Sequence, residues 1–364
     1  MIRIARPLIG DEEREAVLKV LDSGYLVNGP VTQELERRFA REVSGTTEAV
    51  AVANGTAALH LALLAHGVGA GDEVITTPFT FQATSNMVLA AGARPVFVDV
   101  KDDGNIDESL IEAAITPRTK AILPVHLFGR LCAIEDIEGI ARRHNLVLIE
   151  DAAQAHGAEC CGRRAGGFGT GCFSFYATKN MMSGEGGMVT TNNADLAAKL
   201  RLLRSHGETS RYSSSILGYN YRMTEVASAI ALAQLGKLPE FNAKRRQNAR
   251  YLSEHVRGLV LPTEPGDNST VWHLYTVRVP RGRDELVAWL AGRGIQTGVY
   301  YPTPVPDQPL YRELGYSADT CPTARRLSRE VLSLPVHPGL SDRDLHTIVA
   351  AVNEWTGSHG AGLE

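Results

Sequence analysis

The chain has 364 residues, 44% hydrophobic, 21% charged and 6% aromatic, a balance that excludes disorder over most of its length. Lys and Arg number 37 against 41 Asp and Glu, a net charge of −4, which excludes the basic excess of a broad nucleic-acid-binding surface. No stretch reaches the ~20 apolar residues that span a bilayer, so neither nucleic acid nor membrane is expected as a partner.

The opening MIRIARPLIGDEE has no apolar signal core and turns acidic at once. The five cysteines, at 132, 160, 161, 172 and 321, include no Cys-x-x-Cys spacing. A reducing cytoplasmic location and no metal site are expected. Short apolar runs bounded by Gly, Pro or Asp predict strands over 49–53, 73–76, 96–100, 121–125, 146–150 and 172–176. Helical patterns lie between them, over 57–65, 82–91 and 134–143. Such alternation predicts an α/β fold with a mostly parallel central sheet between helices. Ligands of such sheets bind outside the carboxyl ends of the strands. After Leu217 the texture changes. Helices are expected over 224–238 and 240–256, broken near Pro239, with Lys244, Arg245, Arg246 and Arg250 on a solvated face. A strand over 270–279, a helix over 283–292, a strand over 295–301 and a last helix from about Ser341 follow. The division expected is a large domain over 1–240 and a smaller C-terminal α+β domain over 241–364.

Three segments carry candidate chemistry. In Val147-Leu148-Ile149-Glu150-Asp151 the last carboxylate falls just past a buried strand. It is either a helix N-cap or the partner of a buried cation, since an isolated charge there is costly. Lys179 follows the strand of Cys172-Phe173-Ser174-Phe175-Tyr176 and precedes the glycine-rich Gly184-Glu185-Gly186-Gly187. A loop lysine is usually solvated, but one desolvated between apolar segments becomes nucleophilic. Asn54-Gly55-Thr56, between a strand and a helix, can bind an anion on backbone N–H groups, although many strand–helix turns look alike. Taken together, an anion site at Gly55 and Thr56, a ring cation at Asp151 and an amine at Lys179 describe a pyridoxal 5′-phosphate pocket. Phe81 is placed to cover the ring, and Ser174 to offer a hydroxyl to the phosphate.

The motifs NGTAALHLAL (54–63), TPFTFQATSN (77–86), GARPVFVDV (92–100), IEDAAQAHGA (149–158), GCFSFYATKN (171–180), GEGGMV (184–189), SHG (205–207) and GYNYRMTE (218–225) occur in order. With them the chain resembles the DegT-type sugar aminotransferases over nearly its whole length. That resemblance implies the type I aspartate-aminotransferase fold and pyridoxal 5′-phosphate. It gives Lys179 as the lysine that bonds the cofactor aldehyde and shuttles protons, Asp151 as the pyridinium partner and Gln154 as the neighbour of the ring hydroxyl. It gives Gly55, Thr56 and Ser174 to the phosphate, and Phe81 to the ring face. Asn220 would reach the phosphate of a partner subunit, which implies a homodimer with shared sites. Two positions depart from the family pattern: Thr77-Pro78 precede the Phe-Thr-Phe run in place of Pro-Ser, and Tyr300 stands where many members carry His.

The activity implied is transfer of an amino group from glutamate or glutamine to a keto sugar, nucleotide-linked, or to a keto cyclitol, in antibiotic, lipopolysaccharide or cell-wall sugar pathways. Two alternatives are a deoxysugar dehydratase on the same scaffold, whose members replace the lysine with histidine, and a non-catalytic regulatory binding protein, which lacks a recognisable helix-turn-helix here. Substrate contacts are sought at Tyr300, at His126 near a strand end and at His206, for which loop capping is the other reading. His60 and His156 read as structural, and Cys160 and Cys161 as inert.

Overall fold

The computed structural model describes residues 1–263 and 268–359. Among them, seven strands form the central sheet: β1 (Glu48–Val52), β2 (Glu73–Thr76), β3 (Arg94–Phe97), β4 (Thr119–Leu123), β5 (Val147–Asp151), β6 (Thr170–Ser174) and β7 (Gly187–Thr191). Their order is β1-β7-β6-β5-β4-β2-β3. Only β7 runs against its neighbours; β6, β5, β4, β2 and β3 pair in parallel.

The strands alternate at period two between two apolar layers. Ala51, Ile75, Ile122, Leu148 and Phe173 enter one layer. Val50, Val74, Leu123, Ile149 and Cys172 enter the other. Helices α1 (Asp11–Ser23), α2 (Pro30–Phe39), α3 (Gly55–Ala65), α4 (Ala83–Ala90), α5 (Ile134–Arg143), α6 (Ala194–Arg204) and α7 (Glu225–His255) follow. The first layer is closed by Leu35 and Phe39 of α2, Ile137 of α5 and Leu235 of α7. The second is closed by Leu61 of α3, Val88 of α4 and Leu200 of α6. Apolar burial of this kind contributes about 25 cal/mol per Å², and covering both faces is what a parallel sheet requires.

Toward the C-terminus, Tyr275–Arg278 pairs antiparallel with Val331–Leu334. That ribbon packs with α8 (Arg283–Gly292) and the helix Asp342–His359 into a separate apolar cluster that includes Leu252, Leu286, Leu332, Ile348 and Trp355. No helix among the described residues is long and apolar enough to cross a membrane.

Three expectations are corrected. The helix break at Pro239 does not occur: α7 runs unbroken over Glu225–His255 with Pro239 inside it. A proline there removes one backbone hydrogen bond and costs about 3 kcal/mol. Its ring is exposed, and burial of Leu235 and Leu238 on one side and of Ala249 and Leu252 on the other holds the helix through it. The strand over 295–301 is not formed. Only the isolated bridges Ile2 with Ile295 and Gly298 with Ser333 occur there, and Tyr301 takes φ 62°, which no strand accommodates. The basic run of α7 is not wholly solvated, because Arg245 is buried.

Candidate active site

The residues singled out in the sequence converge at the carboxyl edge of the sheet, on the α3 side. Asn54 caps α3 by accepting from Ala57 N–H at 2.8 Å, which leaves the first N–H groups of the helix facing the edge. Gly55 lies against β6: a Cβ built on it would stand 2.7 Å from Ser174 Cβ. The glycine is therefore required by close approach rather than by its φ. Thr56 follows it in the first turn of α3 and is exposed.

Asp151 ends β5 and is 6% exposed. No helix follows it, so the N-cap alternative falls; among the described residues Oδ1 accepts only from Ala153 N–H, at 3.2 Å. Oδ2 accepts from the Thr84 hydroxyl at 2.8 Å. Burial raises the pKa of this carboxyl, against the hydrogen bonds from Thr84 and Ala153 and the fields of Lys179 and His126. Burial in turn pulls the Lys179 amine down to about 8, against the field of Asp151. Amine and acid thus lie in each other's field at one sheet edge.

Gln154 is bonded at both ends. Its Oε1 accepts from Phe128 N–H, and its Nε2 donates to Tyr301 Oη, each at 2.8 Å. The Tyr301 ring is stacked on Phe128, with centroids 6.4 Å apart, and meets Phe79 edge-on at 5.6 Å. Tyr300 lies beside it, partly buried. Behind this wall a separate cavity of about 420 Å³ is lined in part by Phe79, Phe128 and Trp272, and neither Lys179 nor Asp151 borders it. Phe81 is 54% exposed at the turn into α4, where its carbonyl accepts from Thr84 N–H.

The remaining candidates sit apart from this convergence. The His126 ring is fully buried, with Nε2 at 2.9 Å from Glu150 Oε2 and Nδ1 at 3.4 Å from Cys132 Sγ. Glu150, on the opposite face of β5 from Asp151, also accepts from the N–H groups of Gly166, Phe168 and Gly169 at 2.7–2.9 Å. His206 and Asn220 are exposed, on backbone that pairs through Ser205 and Asn220. His60 is buried against Tyr219 and Tyr221. His156 is fully buried, and burial with the Lys179 field pulls its pKa to about 3. Cys161 Sγ lies 3.3 Å from Glu135 Oε2 and 3.6 Å from Cys160 Sγ, and those contacts push its thiol up to about 12. A thiol held protonated is a poor nucleophile.

Sequence reasoning missed Thr84 and Tyr301. Thr84 stands one helical turn after Phe81, a spacing that puts both on one face. Tyr301 directly follows the singled-out Tyr300.

The residues fit pyridoxal 5′-phosphate. A buried carboxylate bonded only to a hydroxyl and a backbone N–H suits a ring cation. The crowded Gly55–Ser174 contact beside a helix N-terminus suits a phosphate, and a desolvated lysine suits an aldehyde.

The profile of the DegT/DnrJ/EryC1/StrS aminotransferase family matches residues 7–353. The chain is 42% identical over 357 residues to a protein of Geobacillus stearothermophilus named pleiotropic regulatory protein, covering 95% of each. It is 42% identical over 350 residues to the dTDP-3-amino-3,4,6-trideoxy-alpha-D-glucose transaminase of Streptomyces venezuelae, covering 94% of this chain and 92% of that one. The crystal structure of DesV from S. venezuelae superposes with a TM-score of 0.91 at 42% identity, covering 95% of this chain and 94% of that chain.

Proposed function

The chain belongs to the DegT/DnrJ/EryC1/StrS aminotransferase family, whose members are pyridoxal 5′-phosphate-dependent enzymes, and on that premise we propose that it moves an amino group from glutamate or glutamine to a nucleotide-linked keto sugar in two alternating half-reactions. A keto cyclitol is the second acceptor class. The observation that carries this reading is the arrangement at one sheet edge: buried Asp151 at the end of β5, Lys179 beyond β6 within its field, and the Gly55–Ser174 contact at the N-terminus of α3.

When bound, the cofactor supplies an electrophilic aldehyde and an electron-accepting ring. The chain supplies the rest. Gly55 and Thr56 N–H groups with Ser174 Oγ bind the phosphate. The Asp151 carboxylate, oriented by Thr84, holds a proton on the ring nitrogen. Gln154, held by Phe128 and Tyr301, would sit beside the ring hydroxyl, and Phe81 would cover the ring face. Lys179 Nζ would take the proton from the donor α-carbon and deliver it to the carbon of the cofactor's aldehyde group; the first of these needs a neutral amine, since an ammonium cannot accept a proton.

A nucleotide-sugar acceptor is supported by the name of the S. venezuelae relative. A homodimer with shared sites, Asn220 reaching the partner's phosphate site, is supported by the exposed apolar row Leu18, Leu21, Tyr25, Leu26 and Val27. His126, buried against Glu150, serves that network and not the substrate, while Tyr300 and His206 remain the substrate-contact candidates. The proposed division is into domains over 1–240 and 241–364, its boundary falling inside the unbroken α7; residues 264–267 and 360–364 lie outside the described residues. A cytoplasmic location suits five cysteines that form no disulfide in the described structure, and an antibiotic or surface-polysaccharide aminosugar is the product class.

A second reading, a regulator without turnover, is favoured by the name of the Geobacillus relative. The dehydratase reading is disfavoured by the presence of Lys179. One experiment separates these readings: load the protein with pyridoxal 5′-phosphate, record its visible band, and add glutamate or glutamine. Loss of the band with release of 2-oxoglutarate from glutamate, or of 2-oxoglutaramate from glutamine, establishes transamination; an unchanged band with both donors overturns it.

A further inference from the structure

Asn180, the residue after Lys179, is 3% exposed, and its side chain is fully engaged. Nδ2 donates to the Val271 carbonyl and to Asn242 Oδ1, each at 2.9 Å, and Oδ1 lies 3.2 Å from His273 Nδ1. The orientation is forced. A carbonyl only accepts, so the atom facing Val271 must be the NH₂ group. The oxygen then faces His273, whose Nδ1 must carry the hydrogen. The same argument fixes the next amide: Asn242 Nδ2 donates to the His156 carbonyl at 2.9 Å, which leaves its oxygen to accept from Asn180. Donors therefore run in one direction, from His273 through Asn180 and Asn242 to the His156 carbonyl.

The partners come from separate parts of the chain: Asn242 from α7, Val271 and His273 from the segment before Tyr275, and His156 from the turn after β5. The charged and titratable groups whose fields reach this cluster are Lys179, Asp151, His156, His273 and Arg245. Arg245 donates to the Trp272 and His273 carbonyls at 3.1 Å each. Burial, together with the Lys179, Arg245 and His156 fields, lowers the pKa of His273; the neutral ring serves as donor to Asn180 in its Nδ1–H tautomer.

We propose that Asn180, gripped by His273, Asn242 and the Val271 carbonyl, is the positioning residue that anchors the backbone carrying Lys179 and so keeps its amine at the sheet edge within the field of Asp151. The proposal deepens the reading of Lys179 as the reactive amine and rests on it. An amide is required at 180, because a carboxylate would set oxygen against the Val271 carbonyl and Asn242 Oδ1.

The test compares wild type, Asn180→Ala and Asn180→Asp as full-length proteins, each first shown to melt cooperatively. Lys179 is labelled with trace acetic anhydride across pH in cofactor-free protein and quantified by peptide mass spectrometry. The wild-type midpoint is expected near 8. Loosening the lysine should raise it in Asn180→Ala by about one unit, lowering the labelling rate at pH 8 about fivefold. Asn180→Asp should raise it further through its added negative charge. A folded Asn180→Ala with the wild-type midpoint overturns the proposal. If neither variant folds, His273→Ala, which removes one donor and leaves Asn180 in place, is held to the same criterion. The functional reading fails separately, if borohydride reduction of the loaded wild type traps the cofactor elsewhere than Lys179.

Discussion

Gln154 Nε2 donates to Tyr301 Oη at 2.8 Å, a bond between residues 147 apart in sequence. It ties the turn after β5 to a segment far toward the C-terminus and holds the amide expected beside the cofactor's ring hydroxyl. Tyr301→Phe keeps the ring between Phe79 and Phe128 and removes only the acceptor. A lost buried hydrogen bond is worth about 1–2 kcal/mol, so the donor half-reaction should slow by about 5- to 30-fold with little loss of melting temperature. Stopped-flow decay of the visible band measures it, and a wild-type rate would show that Tyr301 only packs.

Gly55→Ala should separate cofactor affinity from stability. The added methyl meets Ser174 Cβ at 2.7 Å, and overpacking of that kind costs about 1–3 kcal/mol. Cofactor affinity by equilibrium dialysis should fall about tenfold or more. Unchanged affinity would remove Gly55 and Ser174 from the phosphate site.

Asp151→Asn keeps the shape that accepts from Thr84 but cannot hold a proton on a ring nitrogen by charge. Cofactor binding should change only a few-fold, whereas the donor half-reaction should fall about 100-fold or more, the range of a lost acid–base group. Equal losses in both measurements would assign Asp151 to binding alone.

Acid should destabilise the protein through its buried and half-buried histidines. His156 is pulled down to about 3, and His66 and His337 to about 4, burial being the first cause in each. The unfolded chain, with histidines near 6.5, binds more protons than the folded one between these values. Stability is therefore intact above about 6.5 and is lost as pH falls toward 4, by up to about 1.4 kcal/mol per unit for each group. Urea melts at several pH values measure the slope, and His156→Phe should flatten it; an identical slope in that variant would contradict the assignment.

Much of the fold was legible from its periodicity and punctuation: the strand over 73–76 and the helices over 134–143 and 283–292 are predicted at their observed bounds. Strand β7 escapes notice because it opens from Gly184-Glu185-Gly186-Gly187, which reads as loop. The burial of Arg245 was readable in principle, since Leu238, Asn242, Arg245, Ala249 and Leu252 fall on one helical stripe, but a run of three basic residues reads first as a solvated face. Lys179 and Asp151 are visible because each follows an apolar strand at the ligand edge. Thr84 and Tyr301 meet their partners across 67 and 147 residues, and no local pattern carries contacts of that span.

The whole account turns on which lysine bears the cofactor. Borohydride reduction of the protein loaded with pyridoxal 5′-phosphate, followed by peptide mapping, should place a single phosphopyridoxyl group on the peptide containing Lys179, and Lys179→Ala should lose both that label and the visible band. A label on another lysine, or a Lys179→Ala protein that keeps its band and turns over at the wild-type rate, would contradict it.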